Sequence, residues 1–209
     1  MSMPLQNSVN PYLQALLPEL PPAFEAVKAQ ARHQRQPIVS SDAGWFMHIL
    51  TKMHNPHRIL EVGCNIGYSA LWVGSAMGHH AHIDTLEIDP AIAQQAEDNF
   101  RSVGLSDRIH IYVGAALDVI PTLWDGYDMV FIDAVKEEYI AYVEMILPKL
   151  NPGAVILVDN VLWGGSVAEP AQDHTTLALQ QFNEYFVNHP ALDAQILNIG
   201  DGIGLARLR

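Results

Sequence analysis

Arg58-Ile59-Leu60-Glu61-Val62-Gly63-Cys64-Asn65-Ile66-Gly67 runs from a short apolar strand into a glycine loop, and a helix is predicted immediately after it, over Tyr68–Met77. Strand, glycine turn and helix in that order build the first βα unit of a parallel sheet. The pattern then repeats. Strands are predicted over His82–Leu86, Ile109–Val113, Asp128–Ile132 and Ala154–Val158, with helices over Ala91–Val103, Lys136–Leu147 and Thr175–Asn188. Pro90 suits the first turn of a helix. The unbroken aliphatic run Ala154–Val158 marks a strand covered on both faces. Gln195–Ile199 and Ile203–Leu208 flank Gly200-Asp201-Gly202, which favours a closing hairpin. The expected fold is α/β: a doubly wound, mostly parallel, seven-stranded sheet with an antiparallel strand in its C-terminal hairpin.

Upstream of this array the chain is loosely patterned and rich in proline. Residues 1–40 read as a helical appendage, with short helices over Tyr12–Leu17 and Ala23–Arg32, and residues 41–209 as the main unit of a single domain. Ser40-Ser41-Asp42 reads as a cap for a helix over Ala43–Met53, in which Trp45, Ile49 and Met53 recur at spacing four.

Composition narrows the function. The 209 residues suit one domain with a full core, and 49% hydrophobic with 16% charged residues excludes a disordered chain. A net charge of −12 argues against a nucleic-acid partner. The longest aliphatic run falls far short of the ~20 residues that cross a bilayer. The single cysteine, Cys64, excludes an intramolecular disulfide framework. Met1–Asn7 has neither the charged nor the apolar segment of a secretory leader, so a cytoplasmic location is expected.

At the glycine loop, Gly63 and Gly67 let the backbone approach a ligand, and Glu87, ending the second strand, can accept hydrogen bonds from both hydroxyls of a ribose. The loop has the form E-x-G-x-x-x-G and lacks the G-x-G-x-x-G of dinucleotide sites. It resembles class I S-adenosylmethionine-dependent methyltransferases, whose ligand carries no phosphate and whose sheet ends in an antiparallel hairpin strand. That resemblance implies that Gly63 and Gly67 lie against the methionine part and that Glu87 holds the ribose.

Strands four and five end in chemistry. Asp133 closes the fourth, with Lys136 entering the next helix, and Asp159-Asn160 closes the fifth. Neighbouring strands lie ~4.8 Å apart, so the two carboxylates converge where open α/β sheets bind ligands. Such carboxylates repel unless a positive charge separates them. A hard divalent cation does so, and the Asn160 amide oxygen supplies a third ligand. Mg²⁺ is the default ion, with Ca²⁺ and Mn²⁺ suited to the same oxygens. His79, His80 and His82 lack the partner motif of a zinc site.

Asp133-Ala134-Val135-Lys136-Glu137-Glu138-Tyr139 and Asp159-Asn160-Val161-Leu162-Trp163-Gly164-Gly165 resemble the paired signatures of cation-dependent O-methyltransferases of the catechol and caffeoyl-CoA type. Leu60-Glu61-Val62-Gly63 with Gly67-Tyr68-Ser69 is similar to that family's cofactor loop, and Gly200-Asp201-Gly202-Ile203 to its C-terminal hairpin. The resemblance runs from about residue 37 to the end. It implies metal ligands Asp133, Asp159 and Asn160, a catalytic Lys136, and a cofactor site formed by Glu61, Gly63, Gly67, Tyr68, Ser69, Glu87, Ala115 and Asp133. It also implies a homodimer. Many relatives carry an acidic residue after the glycine that follows strand three. This chain has Gly114-Ala115-Ala116, leaving backbone amides at Ala115 or Ala116 to meet the adenine.

A free phenol, with a pKa near 10, is a poor nucleophile at neutral pH. Chelation of two vicinal oxygens by a dication orients the attacking hydroxyl and eases its deprotonation, and Lys136 can accept or steer the proton. The expected activity is therefore metal-dependent O-methylation of a vicinal diol on a small, aromatic acceptor, with Trp163 as an apolar wall for the ring. Trp45 and Tyr68 are weaker candidates for that wall. Three alternatives stand beside it. A metal-independent methyltransferase would keep its activity in EDTA. A nicotinamide-dependent oxidoreductase would need the missing dinucleotide loop. A cofactor-binding module without catalysis would leave Lys136 without a task.

Overall fold

The computed structural model of the chain describes residues 9–209, so the reading of Met1–Asn7 lies outside it. The strands are β1 (Arg58–Val62), β2 (His82–Glu87), β3 (Ile109–Val113), β4 (Tyr127–Ile132), β5 (Leu150–Asp159), β6 (Leu192–Leu197) and β7 (Ile203–Leu208). They form one sheet in the order β3-β2-β1-β4-β5-β7-β6. Only β7 runs antiparallel to its neighbours. This is the doubly wound, mostly parallel, seven-stranded sheet expected from the sequence.

Successive side chains of a strand go to opposite faces, and here both faces are apolar. Ile59, Met129, Phe131 and Leu157 pack under α2 (Pro22–Gln34), α3 (Ser41–His54), α4 (Tyr68–Ala76) and α5 (Pro90–Ser102). Leu60, Val130, Ile132 and Ile156 pack under α7 (Tyr139–Ile146) and α8 (His174–Asn188). Burying each such side chain contributes roughly 1.5–3 kcal/mol, which drives the two layers onto the sheet. Two further short helices, α1 (Val9–Ala15) and α6 (Ala116–Val119), complete the α-helices of the described residues. Among the described residues no helix is long and apolar enough to cross a membrane.

The chain winds outward from β1 through β2 to β3, then returns to the other side of β1 and continues through β4 and β5. The crossover opens a crevice at the carboxyl ends of β1 and β4. Val62 pairs with Ile132, and Ile132 with Val158. The next residues, Gly63, Asp133 and Asp159, therefore leave three neighbouring strands at one level.

Several local expectations need correction. In α3 the spacing-four stripe leaves the core after Trp45. Ile49 is 53% and Met53 78% exposed, and Ala43, Gly44, Met47 and Thr51 are buried instead. The cause is Gly44, which lies against the Trp72 ring so closely that any Cβ would collide with it. Ser40 occupies the N-cap position of α3, but its side chain makes no capping bond, and the Asp42 carboxylate accepts the Gly200 amide across the fold. The segment starting at Lys136 opens as a 3-10 turn, Lys136–Glu138, and becomes α-helical only from Tyr139. The hairpin's first strand is Leu192–Leu197, earlier than Gln195–Ile199, because the turn region occupies Asn198–Gly202.

Candidate active site

A cavity of about 430 Å³ opens over the ends of β1, β4 and β5. Gly63, Tyr68, Ser69, Asp133, Lys136, Asp159, Asn160 and Trp163 line it, which brings together most of the residues singled out from the sequence. Pro37, Ile38, Val39 and Ser40, between α2 and α3, form another wall. An adjoining cavity of about 340 Å³ is lined by Glu87 and Ala115, and it shares Gly63, Asn65, Asp133 and Ala134 with the first. Glu61 lines neither.

The floor of the crevice depends on Gly63. Its φ of +98° lies in the region that side chains avoid, and a Cβ there would run into the Asp133 carbonyl oxygen. The Asp133 amide, in turn, donates to the Val62 carbonyl at 2.9 Å. Beside it, the Glu87 carboxylate accepts from the Asn65 amide at 2.7 Å and the Asp89 amide at 3.0 Å. Two backbone donors thus fix its orientation toward the second cavity.

Lys136 connects the two strand ends. Its ammonium donates to Asp133 Oδ1 at 2.6 Å and to Asn160 Oδ1 at 2.7 Å, and it lies 5.1 Å from the centre of the Tyr139 ring. The Tyr139 hydroxyl donates to the Asp159 carbonyl at 3.0 Å, which pins the end of β5 to α7. Asp159 is 3% exposed. Burial, and then the negative charge of Asp133, push its carboxyl up to about 7, against the opposing pull of the Asn160 amide and Lys136. Among the described residues no three His, Cys, Asp or Glu side chains gather as a ligand set. Here the oxygens come from two carboxylates and one carboxamide, of which Asp133 and Asn160 already bind one positive charge and Asp159 stands beside them, a donor set suited to a hard cation.

Glu61 sits fully buried behind the glycine loop, accepting from the Thr85 hydroxyl at 2.5 Å. Burial pushes its carboxyl up to about 7, while hydrogen bonds from Ser69 and Thr85 work the other way. Tyr68 turns its ring edge toward Phe24 and Trp72, in the core under α2. Trp45 likewise packs against Trp72, which makes it a core residue.

After β5 the backbone takes an unusual path. Asn160 (φ 59°), Trp163 (φ 50°), Gly164 (φ 61°) and Gly165 (φ 90°) all adopt the left-handed conformation. Asparagine and glycine tolerate it, but for a bulky residue such as Trp163 it costs on the order of 1 kcal/mol or more. The turn before β7 supplies the restraint. The Leu162 amide donates to the Asp201 carbonyl at 3.0 Å, the Val161 amide to the Gly202 carbonyl at 3.2 Å, and the Gly164 amide to Asp201 Oδ1 at 2.6 Å. Trp163 is thereby held at the cavity wall, 36% exposed.

The sequence reading missed Asp201 as a side chain. It also missed Asn65, whose amide group donates to the Pro37 carbonyl at 2.7 Å, and the pair Glu138 and Tyr142 in the second cavity. Only Glu138 and Tyr142 carried a sequence signal, an i, i+4 spacing.

A family model described as O-methyltransferase matches residues 12–209. The catechol O-methyltransferase of Mycobacterium tuberculosis is 35% identical over 99% of this chain and 97% of that relative. The caffeoyl-CoA O-methyltransferase of Petroselinum crispum is 29% identical over 80% of this chain and 75% of its own length. Among solved structures, the O-methyltransferase TomG of Streptomyces achromogenes, involved in tomaymycin synthesis and crystallised with SAM, superposes with a TM-score of 0.87 at 31% identity. That match covers 97% of this chain and 96% of TomG.

Proposed function

Because the chain belongs to the O-methyltransferase family, we propose that it transfers a methyl group from S-adenosylmethionine to one hydroxyl of a vicinal diol on a small aromatic acceptor, with a divalent cation bound in the cleft. One observation carries this reading: the convergence of Asp133, Lys136, Asp159 and Asn160 at the ends of β4 and β5, with the lysine ammonium 2.6 Å from Asp133 and 2.7 Å from Asn160.

The donor occupies the side of the crevice built by β1 and β2. Gly63 leaves room for its methionine part, Ser69 lies beside that part, and Glu87 takes the ribose hydroxyls, whereas Gly67 lines neither cavity and instead lets the loop pack against Phe100. Tyr68 and Glu61 support the loop from below. In this reading Asp133, Asp159 and Asn160 hold the cation, Mg²⁺ by default, with Ca²⁺ or Mn²⁺ suited to the same oxygens. A bound dication supplies Lewis acidity that makes a chelated hydroxyl easier to deprotonate.

The chain's own groups do the rest. Lys136 is held at the strand ends by Asp133 and Asn160, and as the neutral amine, with a bound cation taking over those two oxygens, it would take the hydroxyl proton. Trp163 and the Pro37–Ser40 wall confine the acceptor ring, limiting its approach to the in-line direction that displacement at a sulfonium methyl requires. The proton leaves with Lys136 and the methyl group moves from sulfur to oxygen, so a neutral thioether and a methyl ether result.

We further assign a homodimer, supported by the apolar side chains that α1 and α3 expose, Tyr12, Leu13, Ile49 and Met53. The lone buried thiol of Cys64 fits a cytoplasmic setting.

The test is methyl transfer from radiolabelled S-adenosylmethionine to catechol, a flavonoid catechol and caffeoyl-CoA, with and without EDTA. Turnover of at least one diol that EDTA abolishes and Mg²⁺ restores is expected. Turnover that survives EDTA would remove the cation from the mechanism and favour the metal-independent alternative.

A further inference from the structure

We propose that Glu138 is the residue that recognises the adenine amino group of the donor, in place of a side chain that the loop after β3 lacks. The assignment rests on the S-adenosylmethionine reading above and concerns only its cofactor half.

The second cavity has room for a purine, and its composition indicates which edge is read. Leu86, Ile88 and Val135 give it apolar surface, and Ile88 and Val135 are themselves exposed within the chain. Such side chains hold a flat base but do not distinguish one base from another. After β3, where a polar side chain could meet the rim of the base, stand Gly114, Ala115 and Ala116. None has a side-chain hydrogen-bonding group. Asn65 and Asp133 also line the first cavity, and the Glu87 carboxylate, held by the Asn65 and Asp89 amides, is the group assigned to the ribose in that reading. The remaining polar lining is Glu138 with Tyr142.

These two residues are arranged to present an acceptor. They lie one helical turn apart, and the Tyr142 hydroxyl donates to Glu138 Oε2. Burial, and then the adjoining carboxylate, push the Tyr142 phenol up, so it remains a donor at neutral pH. The bond fixes the carboxylate and occupies one oxygen. Among the described residues Oε1 has no donor of its own, and no lysine or arginine pairs with Glu138. Backbone geometry adds a further constraint, because the Glu138 amide donates to the Val135 carbonyl at 3.0 Å, closing the turn that starts after Asp133. A fixed carboxylate oxygen in a largely apolar cavity suits an exocyclic amino group, and it repels a carbonyl at the same ring position.

A surface pair of the i, i+4 kind would have the same spacing and no effect on ligands, so the test must read base identity. Isothermal titration compares S-adenosylhomocysteine with S-inosylhomocysteine, which differs by a carbonyl in place of the amino group. It uses the wild type, E138Q and E138A, in the absence of metal and acceptor. A hydrogen bond to a charged group contributes about 10- to 100-fold in affinity. The wild type is therefore expected to prefer the adenosyl ligand by at least about tenfold. E138A is expected to lose that preference to within about threefold, chiefly by weaker adenosyl binding. E138Q, whose amide can donate to a carbonyl, is expected to gain affinity for the inosyl ligand, and being isosteric it carries the comparison if E138A does not fold. An adenosyl-to-inosyl ratio unchanged in both variants overturns the assignment. Wild-type protein that binds neither ligand overturns the donor reading and this assignment with it.

Discussion

The Asp201 carboxylate accepts the Gly164 amide at 2.6 Å and so fastens the turn before the last strand to the loop that carries Asn160 and Trp163. Every other bond between the two segments is backbone to backbone, which makes Asp201 the one contact a mutation can remove without altering the main chain. D201A is expected to raise acceptor KM about tenfold, the effect of losing one charge-assisted hydrogen bond, with S-adenosylhomocysteine affinity unchanged. D201N keeps an oxygen acceptor and is expected to restore most of the loss. Steady-state kinetics with titration of the product decide it, and equal losses in both variants would point to the charge instead.

In the proposed mechanism Lys136 moves a proton, so its removal is expected to affect chemistry more than binding. K136A should lower kcat by about 10²- to 10⁴-fold, the range for loss of a general base. Binding of S-adenosylhomocysteine should stay within about threefold, because the contacts of Lys136 are to Asp133, Asn160 and Tyr139 and none is to the glycine loop. A kcat within threefold of wild type would show that Lys136 is not the base.

Glu61 links stability to pH. Its folded-state value is raised to about 7 from an ordinary 4.5, so between these values the folded chain holds a proton that the unfolded chain has released. The stability from that proton is fully present below about pH 4.5 and is lost as pH rises through about 7. The metal-free wild type is thus expected to melt at a lower temperature at pH 7.5 than at pH 5.5. E61Q, fixed in the neutral state, should reduce that slope and leave the share contributed by Asp159, whose carboxyl is likewise raised to about 7. Thermal denaturation across the range measures both, and identical slopes would show that another group governs the dependence.

Gly63 tests the geometry beneath the cleft. G63A places a methyl group against the Asp133 carbonyl at a φ that alanine avoids. The expected loss is about 2 kcal/mol or more, measured as a lower urea midpoint at unchanged m-value. A loss below about 0.5 kcal/mol would mean that β1 and β4 separate readily at their ends.

The parallel strands were legible because a strand buried on both faces has to be aliphatic throughout, as Ala154–Val158 is, and because glycines and acidic residues interrupt such runs where they end. Asp133, Asp159 and Asn160 could be placed from that argument alone, since strand ends in a parallel sheet share a level. The side chains that act across the fold could not. Asp201 looked like one residue of a glycine turn, and nothing local indicates that its carboxylate reaches Gly164. The exposed stripe of α3 shows the same limit: spacing four reveals a helix, but the buried face was decided by Gly44 fitting the Trp72 ring, a long-range contact. Glu61 had a motif but no visible burial, and its position behind the loop depends on Thr85 of the neighbouring strand.

The crossover between β1 and β4 has an evolutionary corollary. Groups assigned to the methyl donor hang mostly from one wing of the sheet, whereas those facing the acceptor hang from the other wing and from segments inserted around it. Substitutions that reshape the loop beyond Asn160 or the stretch ahead of α3 can therefore redirect the enzyme to a new acceptor while its handling of the methyl donor stays intact, so divergence in substrate range need not begin with a loss of catalytic competence.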